Sequence, residues 1–218
     1  MTMNIKELGQ LERDITQSSS GGSHAVLVLD TGGLIDVATA IREYGLTHKN
    51  GNANPHYART TIFLKSLSEQ TKSRIIITPR TYQEIQDHGR MRLNEHTLEL
   101  APRIVDFALE IMINSMGFFS RLEHEIELDQ TRYDAHWASA YGCRDNPKKH
   151  LEGCSDTDKE IIATLASLST SKFPEVGRRI NPVLVLSPDA HIIRGAEFLK
   201  RGFDGRYSNI VPISTRYK

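Results

Sequence analysis

Short apolar runs closed by turn-forming residues alternate along this chain with stretches whose apolar positions recur at helical spacing. The runs HAVLVL (24–29), RIII (74–77), PVLVLS (182–187) and NIVPIS (209–214) are brief and mostly β-branched or leucine, the pattern of strands buried in a parallel sheet. After the first run, Asp30-Thr31-Gly32-Gly33 reads as a tight turn into the helical LIDVATAI, the glycines permitting close backbone approach. Tyr57 to Glu69 resumes helical periodicity through Ile62, Phe63 and Leu67. Thr78-Pro79 opens the next helix, with threonine as N-cap and proline at the first helical position. CSDTDKEIIATLASLS is a further helix start, capped by Ser155 or Thr157, with acidic residues in the first turn and Ile161, Ile162 and Leu165 inward. Strand alternating with helix predicts an α/β fold, an open parallel sheet of about four to five strands flanked by helices. Right-handed crossovers then bring every strand's carboxyl end to one edge.

Two stretches fall outside that rhythm. Residues 1–23 are expected to be an amphipathic helix carrying Ile5, Leu8, Leu11 and Ile15, followed by a flexible SSSGGS linker, so that the globular domain occupies 24–218. From His88 to about Leu151 the pattern is helical, and IVDFALEIMINSMGFF is apolar enough to pack on both sides; this predicts a helical insertion.

Composition narrows the class. A chain of 218 residues suits one domain with a real core. Basic and acidic residues number 27 each, so no global field draws in polyanions and a nucleic-acid contact needs a local basic patch. The two cysteines, Cys143 and Cys154, do not make a disulfide framework. With no signal pattern and no long apolar run, the chain is expected to be soluble and cytoplasmic, without a membrane partner. His136, Cys143, His150 and Cys154 match no common zinc-ligand spacing.

The candidate chemistry lies in four carboxylates, each delivered next to a strand or helix start: Asp30, Glu84, Asp158 and Asp189. On one sheet edge they would repel one another unless a divalent cation sat between them, and hard oxygen ligands suit Mg2+ or Mn2+. That predicts a metal-dependent phosphodiesterase. Each carboxylate also has a structural explanation: Asp30 capping its turn, Glu84 an exposed helix residue, Asp156 and Asp158 partners of a helix dipole, Asp189 an N-cap.

As a set, VLVLDTGGLID, PRTYQEI, SDTDKEIIATL and VLSPDAHI resemble the four acidic stations of the PIN-domain nucleases, in family order, over roughly residues 24–110 and 150–214. The resemblance implies a parallel sheet flanked by helices and Mg2+- or Mn2+-dependent endoribonuclease activity. It makes Asp30, Glu84, Asp158 and Asp189 the metal-binding and catalytic set, Asp156 second choice for the third station, and Thr31 a hydroxyl beside the first aspartate. The helical segment is longer than in the small toxin members of toxin–antitoxin pairs and nearer in layout to protein-only RNase P.

RNA is the expected partner, with Arg80, Lys159 and Arg194 near the same edge to meet phosphates. A homo-oligomer, or a protein partner or inhibitor, is compatible with the chain. Asp30-Thr31-Gly32 also occurs in aspartic proteases, but those are almost wholly β and need a second aspartate. A haloacid-dehalogenase-like phosphatase would need Asp-x-Asp after the first strand, which is absent. The rival from another class is a PIN-like module that binds or assembles without cutting.

Overall fold

The computed structural model describes residues 24–36, 74–91, 104–106, 108–113, 116–128, 154–173, 177–202 and 205–214. The predicted amino-terminal helix and linker, and the predicted helix at Tyr57 to Glu69, lie outside them.

Four strands form one sheet: β1 (His24–Leu29), β2 (Arg74–Ile77), β3 (Ile180–Ser187) and β4 (Ile210–Ser214). Their order is β2-β1-β3-β4, and every pairing is parallel. The apolar runs became strands because both of their faces are covered, which a parallel sheet requires. Pro212 cannot donate to a ladder, and it sits in β4, at the end of the strand order.

Three helices are α1 (Pro79–Met91), α2 (Asp156–Thr170) and α3 (Ala190–Gly202). Alternation along the strands sends Val26, Val28, Val183 and Val185 to one face, where Ile161, Ile162 and Leu165 of α2 and Ile192, Ala196 and Leu199 of α3 cover them. Leu27, Leu29, Leu184 and Leu186 point to the other, with Ile77 of β2, against Leu34 in the helical residues 31–36 and Ile85 of α1. Each fully buried Leu or Ile is worth roughly 1.5–3 kcal/mol, so both faces are needed to hold so short a sheet.

Helical residues also occupy 104–106, 108–113 and 116–128. Ile104, Ala108 and Ile111 join the face of α1, whereas Phe118, Leu122 and Ile126 join the face of α2 and α3. The described part of the apolar stretch thus contributes to both faces of the sheet, Ile104 to Ile111 to one and Phe118 to Ile126 to the other.

One consequence of the strand order positions the site. From β1 the chain moves to β2 on one side, and from β3 to β4 on the other, with the connecting helices on opposite faces. The connections leaving the carboxyl ends of β1 and β3 therefore diverge to opposite faces, which makes the crevice outside those ends the topological switch point where open α/β sheets place their ligands.

Candidate metal centre

Asp30 leaves the end of β1 directly into that crevice. One of its carboxylate oxygens accepts the backbone N–H of Gly33, and the other accepts the Ser187 hydroxyl at 2.6 Å. The Ser187 oxygen in turn accepts the backbone N–H of Asp189 at 2.8 Å, so one buried hydroxyl ties the crest after β1 to the crest after β3. The crests can approach so closely only because two residues lack side chains. A Cβ on Gly33 would meet the Leu186 carbonyl oxygen, and one on Gly32 would meet the Pro188 ring.

Glu84 reaches the same place from α1. Thr78 caps that helix, its hydroxyl accepting the Thr81 N–H at 3.2 Å, and Glu84 receives a hydrogen bond from the Thr31 hydroxyl at 2.7 Å. Glu84 is thus tied to the residue that follows Asp30, and it is not among the grouped donors Asp158, Asp189 and His191.

The third station divides between two neighbours. Ser155 caps α2 in a reciprocal box: its side chain accepts the Asp158 N–H at 3.1 Å, and Asp158 Oδ2 accepts the Ser155 N–H at 2.8 Å. Asp158 is largely buried on the side of Asp189. Asp156, one turn position away, is exposed and engages Arg80 at 3.6 Å and Lys159 at 4.0 Å. Two of the expected phosphate-binding cations therefore flank Asp156 at the rim. Arg194 is exposed on α3, one turn beyond Asp189.

Asp189 supplies the fourth station and caps α3, its Oδ1 accepting the His191 N–H at 2.6 Å. The His191 Nδ1 lies 3.3 Å from the same oxygen. One oxygen each from Asp158 and Asp189 and one ring nitrogen of His191 fall within 4.8 Å of one another.

Electrostatics follow burial. Asp30 is only 6% exposed, and loss of water pushes its carboxyl from 3.8 up to about 7 against the pull of Ser187 and Gly33; Asp189 and Asp36 push the same way. Among the described residues no cation pairs with it. Asp158 is also raised, chiefly by burial, with Asp189 adding to the shift and Ser155 and His191 opposing it. The centre is thus a set of mutually repelling acids with no neutralising side chain at its deepest member.

These residues fit a divalent cation. Two donors side by side on an ion, each about 2.0–2.2 Å away, lie about 3 Å apart, close to the His191–Asp189 separation. Carboxylate oxygens suit Mg2+ or Mn2+, and an imidazole nitrogen extends the set toward transition metals. Such an ion would be held by Asp158, Asp189 and His191, with Asp30 linked through Ser187 and Glu84 through Thr31.

Sequence reasoning did not single out Ser187, His191 or Asp36. The Asp-x-His spacing at the start of α3 was a readable signal for His191, since both residues occupy the same helix entry. Ser187 carried none, because its role depends on which strand lies beside β3. Of the four residues whose spacing matches no zinc site, Cys154 forms no disulfide among the described residues and the other three lie outside them. Among the described residues no helix is long and apolar enough to cross a membrane. Comparison with family models, with curated proteins and with solved structures gives no match for this chain.

Proposed function

We propose that the chain is a metal-dependent phosphodiesterase of the PIN-like kind, an endoribonuclease that uses Mg2+ or Mn2+. The observation that carries this reading is Asp30: a buried, unneutralised carboxylate at the switch point, hydrogen-bonded toward Asp189 through Ser187 and placed beside Glu84 by Thr31. A cap needs no such burial, whereas a bound cation would offset the cost of it. A divalent cation held by Asp158, Asp189 and His191 would supply positive charge for the scissile phosphate and would make a bound water more acidic for in-line attack. The protein's part is to hold the acids in place before substrate arrives: Thr31 orients Glu84, Ser187 and Gly33 fix both oxygens of Asp30, and the box at Ser155 fixes Asp158. Arg80, Lys159 and Arg194 give the rim positive charge for neighbouring phosphates. The helical residues between 104 and 128 are read as the part of an insertion that completes both faces of the core.

A second reading has its own observation. Asp158 completes the capping box of α2 and Asp189 caps α3, so an edge kept for stability in a PIN-like binding module would look similar at those two positions. Incubating wild type and Asp30→Asn with labelled single-stranded and structured RNAs and with DNA, in Mg2+, Mn2+ or EDTA, separates the two. Cleavage by wild type alone, abolished by chelator, is the expected outcome. Intact protein that cuts nothing and binds no Mn2+ would move the assignment to the binding module.

A further inference from the structure

We infer that the amino-terminal edge of the sheet, opposite the acidic crevice, is a second contact surface for the phosphate backbone of RNA, built from Lys172, Arg178, Arg179 and Arg206. The choice of RNA as partner rests on the function proposed above; the surface itself does not. Two connections meet on that edge: residues 171–179 lead from the end of α2 into β3, and residues 203–209 from the end of α3 into β4. Residues 171–179 and 200–209 carry six basic residues against two acidic ones, Glu175 and Asp204, in a chain whose total charge is balanced. Hydrogen bonds lock the two connections together. Asn209 Nδ2 donates to the carbonyl oxygens of Ser169 at 3.3 Å and Ile180 at 2.7 Å, and the buried Ser169 hydroxyl donates to Asn209 Oδ1. The Arg179 guanidinium spans both, its Nε donating to the Ser169 carbonyl at 3.1 Å and its Nη2 to the Arg206 carbonyl at 3.0 Å. Lys172 faces Arg179 across an antiparallel bridge, and Lys172, Arg178, Arg179 and Arg206 are all exposed.

Helix ends explain only part of this charge. Lys200 and Arg201 lie in the last turn of α3, where the dipole favours cations, and Arg201 reaches Glu197 at 3.9 Å. Arg179 satisfies a carbonyl at the end of α2. Lys172, Arg178 and Arg206 lie beyond both helices, and grouping like charges there costs energy that a polyanion returns. At the opposite edge the balance is reversed. Asp30, Glu84, Asp158 and Asp189 repel phosphate until a cation binds, and Arg80 and Lys159 are engaged with Asp156. Affinity for a polyanion therefore needs a positive surface elsewhere. The eight residues of β3 set the two edges about 26 Å apart, so an RNA that occupies both is longer than the crevice alone requires.

The test is fluorescence anisotropy of a labelled single-stranded RNA, long enough to join the two edges, titrated with the full chain in EDTA at several KCl concentrations. The variants are Lys172→Gln/Arg178→Gln/Arg206→Gln, which removes three charges, and Lys172→Arg/Arg178→Lys/Arg206→Lys, which keeps them. Arg179 stays in place because its hydrogen bonds hold the loops. The neutralised variant should bind on the order of tenfold more weakly, and its plot of log affinity against log salt should be shallower by roughly 2, three lost phosphate contacts at about 0.7 each on a single strand. The charge-keeping variant should bind like wild type, and Asp30→Asn at least as tightly, since the surface is separate from the crevice. Thermal melts verify folding; if the triple neutralised chain unfolds, Lys172→Gln and Arg206→Gln singly, each expected to lower the slope by about 0.7, decide the matter. Unchanged affinity and slope on neutralisation, or an equal loss in the charge-keeping variant, would overturn the inference. Wild type that binds anionic lipid vesicles but not RNA would overturn it in favour of a membrane surface. Because binding is read without turnover, RNA held through this surface by a protein that cuts nothing in Mn2+ would keep the inference and sink the nuclease reading. Cleavage in Mn2+ with no effect of the neutralised variant on binding would do the reverse.

Discussion

Asp30 and Asp189 stand at corresponding places, each just past a central strand and each accepting a backbone N–H from the turn that follows. Their surroundings differ sharply. Asp189 is only partly buried and has His191 beside it, while Asp30 is 6% exposed, is raised to about 7 and, among the described residues, has no cation. Capping accounts for the local hydrogen bonds of both. It does not account for burying one of them, because an N-cap carboxylate works as well in water and burial only adds a desolvation cost. What the pair teaches is that the same local motif serves a helix at one crest and, at the other, is held in a strained electrostatic state that a bound cation would relieve.

The comparison breaks most visibly in catalysis. Asp30→Asn is expected to lower metal-dependent RNA cleavage on the order of a thousandfold, several kcal/mol of transition-state stabilisation, and Asp189→Asn by about 10–100-fold. Single-turnover rates in Mg2+ would measure both. Equal, small losses would reduce the two residues to caps.

Stability against pH gives the next largest effect. A carboxyl whose value is higher in the folded protein than in the unfolded chain binds extra protons on folding between the two values. The contribution of Asp30 in chelator is therefore lost as pH rises from about 4 to about 7, amounting to up to about 4 kcal/mol. Asp158 adds in the same direction. Asp30→Asn should flatten that slope and raise the melting temperature of metal-free protein at pH 7.5 by several degrees, leaving it nearly unchanged near pH 4. An Asp30→Asn variant that melts earlier at pH 7.5 would show that the charge is needed by the fold.

The contact between the crests can be sharpened with Gly33→Ala. Its methyl group would meet the Leu186 carbonyl oxygen, a backbone atom that cannot swing aside, so a loss of about 1–3 kcal/mol is expected from urea unfolding. Smallest of all should be Asp156→Asn. Its ion pairs with Arg80 and Lys159 are exposed, so stability should change by less than about 1 kcal/mol and cleavage should survive, in contrast to Asp158→Asn.

Much of the fold was legible along the chain. The four apolar runs are the four strands, Thr78 and Ser155 cap the helices they precede, and Pro79 opens α1. Those features depend on neighbours in sequence: β-branched runs, a hydroxyl before a helix, and a proline where no N–H is needed. The four carboxylates were legible as positions: Asp30 and Asp189 come just after strands, Asp158 lies in the first turn of α2, and Glu84 lies about a turn and a half into α1. Choosing between Asp156 and Asp158 was not settled by local pattern, as both lie in the first turn; the direction in which α2 packs on the sheet is what turns one toward Arg80 and the other toward Asp189.

The sequence by itself determined the strands, the helix starts and the carboxylates available at each. Only the tertiary structure decided that β1 lies beside β3, and with that the crevice, the burial of Asp30, the bridge through Ser187 and the approach of His191 to Asp158. Hydrogen bonding and periodicity act over a few residues and can be read locally. Desolvation and the repulsion between charges depend on distances across the fold, which strand order sets and no single segment encodes.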